Sequence, residues 1–188
     1  VIGGITTGGI VLRIGTSDRW FVKNGDATPA GGTYLGFQGA NLNGNDQIAV
    51  FADFTGPGGS GWFYGGIGSM RAGVVGQQPI DGGTCTSLAF SRNPMKALDD
   101  QGNLLQWIEV GSGQSRLVYC DTSGSQRIAI RRGDTTPIGG TYAVSDAWPS
   151  LANTGRLVSG WSVLGGSSTG AYFIHLVCAP TLSTAPCA

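Results

Sequence analysis

Charged residues are scarce in this sequence. Only 12% of its 188 residues are Asp, Glu, Lys or Arg, whereas about 25% is usual in soluble domains. The 11 basic and 11 acidic residues balance to a formal net charge of zero. Because a nucleic-acid-binding protein needs a basic surface, this composition argues against a nucleic-acid partner. It also removes the repulsion that keeps copies of a protein apart, which favours self-association.

Residues suited to acid–base catalysis are scarce as well. The chain has one glutamate, Glu109, and one histidine, His175, which lies in an apolar segment where a structural role is more common. Residues 166–170 match the Gly-x-Ser-x-Gly pattern of serine hydrolases, but a strand-like segment follows where that motif needs a helix. Asn41, Asn43 and Asn45 have the spacing of a calcium loop without its glycine or its last glutamate. We therefore expect no enzyme, catalytic residue, metal or cofactor.

Long hydrophobic runs are also missing. No apolar run reaches the roughly 18 residues that a membrane-spanning helix needs, so we predict no membrane-spanning segment. The sequence has neither an initiator methionine nor a signal peptide. We expect it to be either a processed mature chain or an excised fragment.

The chain has four cysteines, namely Cys85, Cys120, Cys178 and Cys187. None shows the short spacing of a zinc site. An even number at scattered positions favours two disulfides in an oxidising compartment, the alternative being four buried free thiols. As a hypothesis we pair Cys85 with Cys120 and Cys178 with Cys187, although four cysteines permit three pairings. We expect an extracellular or cell-surface location.

Glycine, in contrast, is abundant, with 34 residues, and the clearest pattern is a Gly-rich turn that occurs three times. It reads NGDATPAGGTY at 24–34, RGDTTPIGGTY at 132–142 and, in a diverged copy, VGQQPIDGGTC at 75–85. The copies stand roughly 50–60 residues apart, a spacing typical of repeat proteins. Glycine permits positive φ, aspartate caps the following turn and proline fixes φ. The turn residues are Gly25, Asp26, Pro29, Gly133, Asp134 and Pro137.

Apolar residues alternate in the segments around these turns, which is the pattern of half-buried strands. We predict an all-β fold with four strands in each repeat and about twelve or thirteen strands in total. The first strands are expected at 10–15, 62–67 and 116–121, and the second at 18–23, 69–75 and 126–131. The third strands begin at Thr33, Thr84 and Thr141, and the fourth are expected at 47–54, 103–110 and 156–163.

This pattern divides residues 10–178 into a single β-repeat domain of three four-stranded antiparallel repeats. The units span about 10–60, 61–113 and 114–168, followed by a surplus strand at 170–177 and a tail at 179–188. We expect the arrangement to be β-propeller-like or prism-like. The surplus strand either closes a ring on the first unit or pairs outside the molecule.

Residues 1–9 precede the first repeat and carry no charge. They include Val1, Ile2 and Ile5, whose exposure to water is costly. We expect an extended arm that adds a strand to another subunit. The alternatives are a frayed terminus and internal closure, in which both ends complete one sheet within a single molecule.

Two of these signatures resemble a group of exported bacterial repeat proteins of uncharacterised function with β-propeller-like units. Those proteins carry a Gly-Asp-x-x-Pro…Gly-Gly-Thr-aromatic turn followed by an Asn-x-x-Gly-x-(Val/Ile)-Ala-Phe strand. The turn pattern occurs here at 25–34 and 133–142. The strand pattern is matched best by residues 43–51. The similarity spans roughly residues 10–177. It implies an exported β-repeat protein and supplies no catalytic residues.

Three classes of function remain. We expect a non-enzymatic structural subunit of an extracellular filament or surface layer, with copies of itself as partners, assembled by strand addition. The alternative is a carbohydrate-binding or adhesion module with extracellular glycans as partners. An exposed aromatic side chain would support that alternative, and Trp148 is the candidate because it lies in a loop-like stretch. A secreted hydrolase is the least favoured function.

Overall fold

The predicted all-β class is confirmed by the computed structural model, whose described residues form fifteen strands and no helix. Two of these strands contain only two residues each. The described residues are 8–14, 16–88, 98–145, 150–151, 156–165 and 170–176. The predicted sites that lie outside them are Val1, Ile2, Ile5, Trp148, Cys178, Cys187, most of residues 166–170 and the tail at 179–188.

The strands lie within two residues of the predicted positions. In chain order they are β1 (Gly9–Ile14), β2 (Ser17–Lys23), β3 (Tyr34–Leu42), β4 (Ile48–Phe54), β5 (Ser60–Gly65), β6 (Arg71–Val75), β7 (Pro79–Ile80), β8 (Gly83–Leu88), β9 (Leu104–Val110), β10 (Gln114–Cys120), β11 (Gln126–Arg131), β12 (Thr141–Ser145), β13 (Ser150–Leu151), β14 (Arg156–Leu164) and β15 (Gly170–Leu176). The short strands β7 and β13 are additions that the alternation of apolar residues did not predict.

The strands form four antiparallel sheets. Sheet 1 is the β1–β2 hairpin, and sheet 2 has the order β3-β4-β5-β6. Sheet 3 has the order β11-β10-β9-β8-β7. In sheet 4, β14 pairs with β12 and β13 along one edge and with β15 along the other.

These sheets cut across the predicted repeat units. Sheet 2 combines the last two strands of the unit at 10–60 with the first two strands of the next unit, and sheet 3 follows the same rule. The reason is that β4 and β5 are joined by a tight turn, in which Phe54 N donates to Gly59 O at 2.9 Å. The recurring Gly-rich turn instead links one sheet to the next. The surplus strand β15 pairs with β14 of the last unit.

The core lies in three layers between successive sheets. The sheet 1–2 core contains Phe21, Val22, Tyr34, Ile48, Val50, Ala52, Phe54 and Phe63. The sheet 2–3 core contains Ala49, Phe51, Trp62, Tyr64, Val74, Cys85, Leu98, Leu104, Ile108, Val110, Val118 and Cys120. The sheet 3–4 core contains Leu105, Leu117, Tyr119, Ile130, Tyr142, Leu151 and Val163. Sheets 2 and 3 are therefore buried on both faces, which explains the nearly continuous apolar run of β4.

The recurring turn is built largely as predicted. Gly25 and Gly133 adopt positive φ angles of 88° and 93°. The carboxylate of Asp26 accepts a hydrogen bond from Lys23 N at 2.9 Å, and Asp134 accepts one from Arg131 N at 2.9 Å. The aspartates therefore close the turn that precedes them, and the prediction that they cap the following turn is wrong.

The following turn is held by backbone and threonine. Gly31 N donates to Thr28 O at 3.1 Å across Pro29, and Thr28 Oγ1 donates to Gly31 O at 2.8 Å. Thr136 and Gly139 make the same two bonds around Pro137, at 3.2 and 2.8 Å. Proline suits the second position of such a turn because its ring fixes φ.

The diverged second copy keeps the first part of the turn with a register one residue later, and the short β7–β8 hairpin stands in place of the part held by threonine. Gln77, with a φ of 59°, takes the backbone position of Gly25. Gln78 takes the position of Asp26, since its Oε1 accepts a hydrogen bond from Val75 N at 3.2 Å. The aligned copies at 24–34 and 75–85 predict that Gln77 corresponds to Asp26. This prediction is wrong, because Gln78 takes that position in the structure.

Replacing Gly25 with alanine tests how much the positive φ contributes. A Cβ at Gly25 would meet no atom within 4 Å, so the change alters backbone preference and little else. We expect a loss of about 1–2 kcal/mol in the free energy of unfolding, measured by urea denaturation. Gly25→Asn is the matched control, and we expect it to cost less because asparagine tolerates the left-handed region. Equal losses for the two variants would contradict this explanation.

Candidate functional site

Sheet 1 is a short hairpin whose two ends are held by polar contacts. Near its tip, Arg13 Nε donates to one carboxylate oxygen of Asp18 at 2.7 Å and Arg13 NH2 donates to the other at 2.8 Å. This pair is exposed, and the hydrogen bond from Arg13 lowers the pKa of Asp18. At the open end, Asn24 N donates to Gly8 O at 2.8 Å. These contacts hold the hairpin near its tip and at its open end.

A bulge in this hairpin decides which face each side chain occupies. Ile10 lies opposite Val22 and Val11 lies opposite Trp20, which leaves Phe21 as the extra residue. Consecutive strand residues normally point to opposite faces, and a bulge removes that alternation locally. Both Phe21 and Val22 are consequently buried in the sheet 1–2 core. Trp20 is left on the opposite face.

That opposite face is uncovered and partly apolar. Trp20 is 52% exposed and its cross-strand neighbour Val11 is 44% exposed. A Cβ on Gly9 would lie 2.6 Å from Cζ3 of the Trp20 ring, so the indole rests against the backbone at Gly9. Trp148 was the aromatic residue predicted to be exposed, and Trp20 was not predicted to be so. Its neighbours Phe21 and Val22 suggested a core strand, and no sequence signal marked the bulge.

The outer edge of β1 is the second notable feature of sheet 1. Strand β5 pairs with β4 and β6, and β10 pairs with β9 and β11. Strand β1 holds the same place at the start of a repeat, yet in the described part of the chain it pairs only with β2. Among the described strands, the other edge of β1 therefore has no partner strand.

The predicted disulfide between Cys85 and Cys120 is absent, and both residues are buried free thiols. Cys85 lies opposite Val110 at one end of β9, and Cys120 lies opposite Leu104 at the other end. That length of strand is about 20 Å, whereas disulfide-bonded residues have Cα atoms about 4.4–6.8 Å apart. The prediction failed because sequence spacing does not reveal which strands separate two cysteines.

The two described thiols should be unreactive in the folded protein. Burial raises the pKa of Cys85 to about 11 and that of Cys120 to about 12, which leaves little thiolate at neutral pH. We expect iodoacetamide to leave both residues unmodified in the native protein and to modify both in denaturant, as measured by peptide mass spectrometry. Rapid native alkylation of either residue, or a Cys85–Cys120 cross-linked peptide, would contradict the structure.

Several buried polar residues of the hairpin turns have a structural role. The side-chain oxygen of Asn43 accepts hydrogen bonds from the backbone of Asn45 and Gln47, at 3.0 and 2.9 Å. Asp99 binds the backbone two and four residues ahead in the same way, and so does Asp121. Such bonds stabilise five-residue turns between strands. Of the three asparagines that resemble a calcium loop, Asn43 thus holds a turn, and Asn45 Nδ2 donates to Asp100 O.

Among the described residues, no three His, Cys, Asp or Glu side chains come together in a group that could hold a metal ion. The same residues include no helix with the length and hydrophobicity needed to cross a membrane. Comparisons with protein-family models, with curated proteins and with solved structures found no match to this chain, so the geometry of sheet 1 carries the functional proposal.

Proposed function

We propose that this protein is a non-enzymatic structural subunit of an extracellular assembly, such as a filament or a surface layer, whose copies join by strand addition. The observation that carries the proposal is the open edge of β1. Its repeat counterparts β5 and β10 are paired on both sides, whereas β1 has a single partner among the described strands. An added strand would complete the backbone hydrogen bonding of sheet 1.

The composition supports the same proposal. The formal net charge is zero, so copies approach one another without electrostatic repulsion. The segment preceding β1 contains Val1, Ile2 and Ile5 and no charged residue. Burial of its apolar side chains away from water would lower the free energy of the protein. The extracellular location belongs to the proposal and rests on the resemblance to exported repeat proteins.

Deleting residues 1–7 tests the arm in this mechanism. The deletion keeps Gly8, because its carbonyl accepts the hydrogen bond from Asn24 that closes sheet 1. We expect the truncated protein to keep a β-sheet circular dichroism spectrum and to form no polymers in electron microscopy, whereas the wild type should form them.

A control of full length separates the loss of the arm from the loss of its apolar side chains. The combined change Val1→Ser, Ile2→Ser and Ile5→Ser keeps the length of the arm and should also weaken assembly. Normal polymers from the truncated protein would disprove the arm mechanism. A wild-type protein that never forms polymers would disprove the structural role itself.

The exposed Trp20 favours carbohydrate binding as a second candidate function. An exposed indole can stack on the apolar face of a sugar ring, and Arg13 and Asp18 lie nearby with polar groups for hydroxyls. The test is a titration of the protein with soluble oligosaccharides, followed by tryptophan fluorescence. We expect Trp20→Ala to abolish any such response, and a response that survives this substitution would place the sugar elsewhere.

A further inference from the structure

The exposed pair on sheet 1 has counterparts in sheets 2 and 3. In each sheet, the first and second strands of the repeat form a hairpin with an irregularity in register next to one cross-strand pair. That pair is Val11 with Trp20 in sheet 1, Phe63 with Ala72 in sheet 2 and Val118 with Ile128 in sheet 3. The three pairs are therefore equivalent positions of the repeat.

In sheets 2 and 3 this pair is covered by the preceding sheet. Phe63 is fully buried and, with Ala72, packs in the sheet 1–2 core, to which sheet 1 contributes Phe21 and Val22. Val118 is also fully buried and, with Ile128, packs in the core that sheet 3 shares with sheet 2. Each sheet thus presents the same face to its predecessor. Only sheet 1 presents that face to solvent in the described part of the chain.

We infer that the face of sheet 1 centred on Val11 and Trp20 docks against sheet 4 of a second copy, so that the internal stack of sheets continues from one copy to the next. This inference rests on the proposed structural function and names its contact surface. Another sheet of the same repeat covers the equivalent pairs in sheets 2 and 3, so the expected occupant on sheet 1 is also a sheet of this repeat. Among the described residues, sheet 4 lies at the opposite end of the stack from sheet 1, so it is the sheet that a second copy would meet.

Two further observations fit a second copy. On β14, Val163 is buried in the sheet 3–4 core, and its neighbour Leu164 is 61% exposed. Because alternate strand residues point to opposite faces, Leu164 lies on the side of sheet 4 that faces away from sheet 3. On the sheet 1 face, the charge of Arg13 is balanced by Asp18. Contact between two different surfaces of the same chain is heterologous and leads to an open filament or a ring.

A lysine on the sheet 1 face tests this inference. Sedimentation of the full chain over a wide range of protein concentration measures its assembly. We expect Trp20→Lys to raise the concentration needed for assembly by about tenfold or more, since a buried charge would replace a large aromatic contact. Val11→Lys is a second variant in case the first fails to fold. Leu35→Lys is the matched control, because Leu35 is 56% exposed on β3 of sheet 2. It should leave assembly unchanged.

Photo-cross-linking identifies the surface that meets Trp20. A benzoylphenylalanine at position 20, in a mixture of isotopically labelled and unlabelled protein, should form cross-links between copies to peptides of β12, β14 or β15. Cross-links only within one copy, or to peptides of other sheets, would overturn the inference. So would a monomeric wild type whose Trp20 fluorescence responds to oligosaccharides, which would assign this face to a glycan.

The deletion of residues 1–7 separates the two mechanisms. If that deletion abolishes polymers and Trp20→Lys does not, strand addition stands and the docking face is wrong. If Trp20→Lys abolishes polymers and the deletion does not, the docking face stands and strand addition is wrong. Loss of polymers in both variants, with the expected cross-links, supports both contacts.

Discussion

Replacing Gln106 with leucine is expected to lower the free energy of unfolding by about 2–4 kcal/mol. Gln106 lies on β9 and is 2% exposed. Its Oε1 accepts a hydrogen bond from Val74 N at 2.7 Å, and its Nε2 donates to Val74 O at 3.3 Å. Val74 belongs to β6, one of the two edge strands of sheet 2. The amide side chain of one sheet thus supplies the backbone partners that β6 lacks.

The size of this effect follows from what the substitution leaves behind. Leucine has a similar volume but no polar atom, so the backbone groups of Val74 would lose both hydrogen bonds to Gln106, and a buried polar group left without a partner costs about 1–3 kcal/mol. Gly73 is adapted to the same contact, since a Cβ there would clash with the side chain of Gln106. We therefore expect no relaxation of β6 that rescues the lost bonds.

Urea denaturation of the purified variants measures this loss. Gln114→Leu is the matched control, because Gln114 begins β10 in an exposed position and the chemical change is identical. We expect the control to change stability by about 0.5 kcal/mol or less. If Gln106→Leu costs no more than Gln114→Leu, the edge of β6 is not held by this side chain.

Replacing Asp81 with asparagine is expected to cost about 2–4 kcal/mol of stability. Asp81 lies in the turn between β7 and β8, and its carboxylate is 13% exposed. It accepts hydrogen bonds from Arg116 Nε at 2.6 Å and from Arg131 NH2 at 2.7 Å. Without the carboxylate, the Arg116 side chain, which is 12% exposed, would keep a charge away from water with no counter-ion. Removing one partner of such a pair is costly.

The structure offers a matched control for this substitution. Asp81 has a φ of 51°, and asparagine tolerates that backbone as well as aspartate does, so Asp81→Asn removes charge and little else. Asp18→Asn removes a carboxylate from a similar two-bond contact with Arg13, but both side chains there are exposed. We expect a much smaller loss for Asp18→Asn, because water screens exposed ion pairs. Similar losses in urea denaturation would contradict the role of burial.

Acid should abolish the difference in the free energy of unfolding between Asp81→Asn and the wild type. Hydrogen bonds from Arg131, with those from Arg116 in addition, hold the pKa of Asp81 below its usual value. Because the folded-state pKa is lowered, the stabilisation is present above the unfolded pKa of about 3.9 and is lost as the pH falls through the folded pKa. We expect the two unfolding free energies to converge on acidification. A difference that stays constant with pH would exclude the ion pair as its cause.

Local features of this protein were accessible from the sequence. The strand positions followed from alternating apolar residues, because a half-buried strand shows its two faces directly in the order of its residues. The positive φ angles of Gly25 and Gly133 followed from the recurring turn, since glycine is the residue that adopts them at least cost. The diverged turn shows the limit of this approach, because Gln78 acts one position away from its aligned place.

The tertiary structure alone decided which residues meet. Strand pairing depends on contacts between residues far apart in the chain, so the sequence pattern placed the strands but not the sheets that cut across its repeats. For the same reason, the sequence could not show that β9 separates Cys85 from Cys120. The exposure of Trp20 depends on one extra residue in β2 and on the lack of a preceding sheet among the described residues. Amino-acid composition and the alternation of apolar residues predict neither the extra residue nor the uncovered sheet face. Both patterns describe a segment without the segments that pack against it.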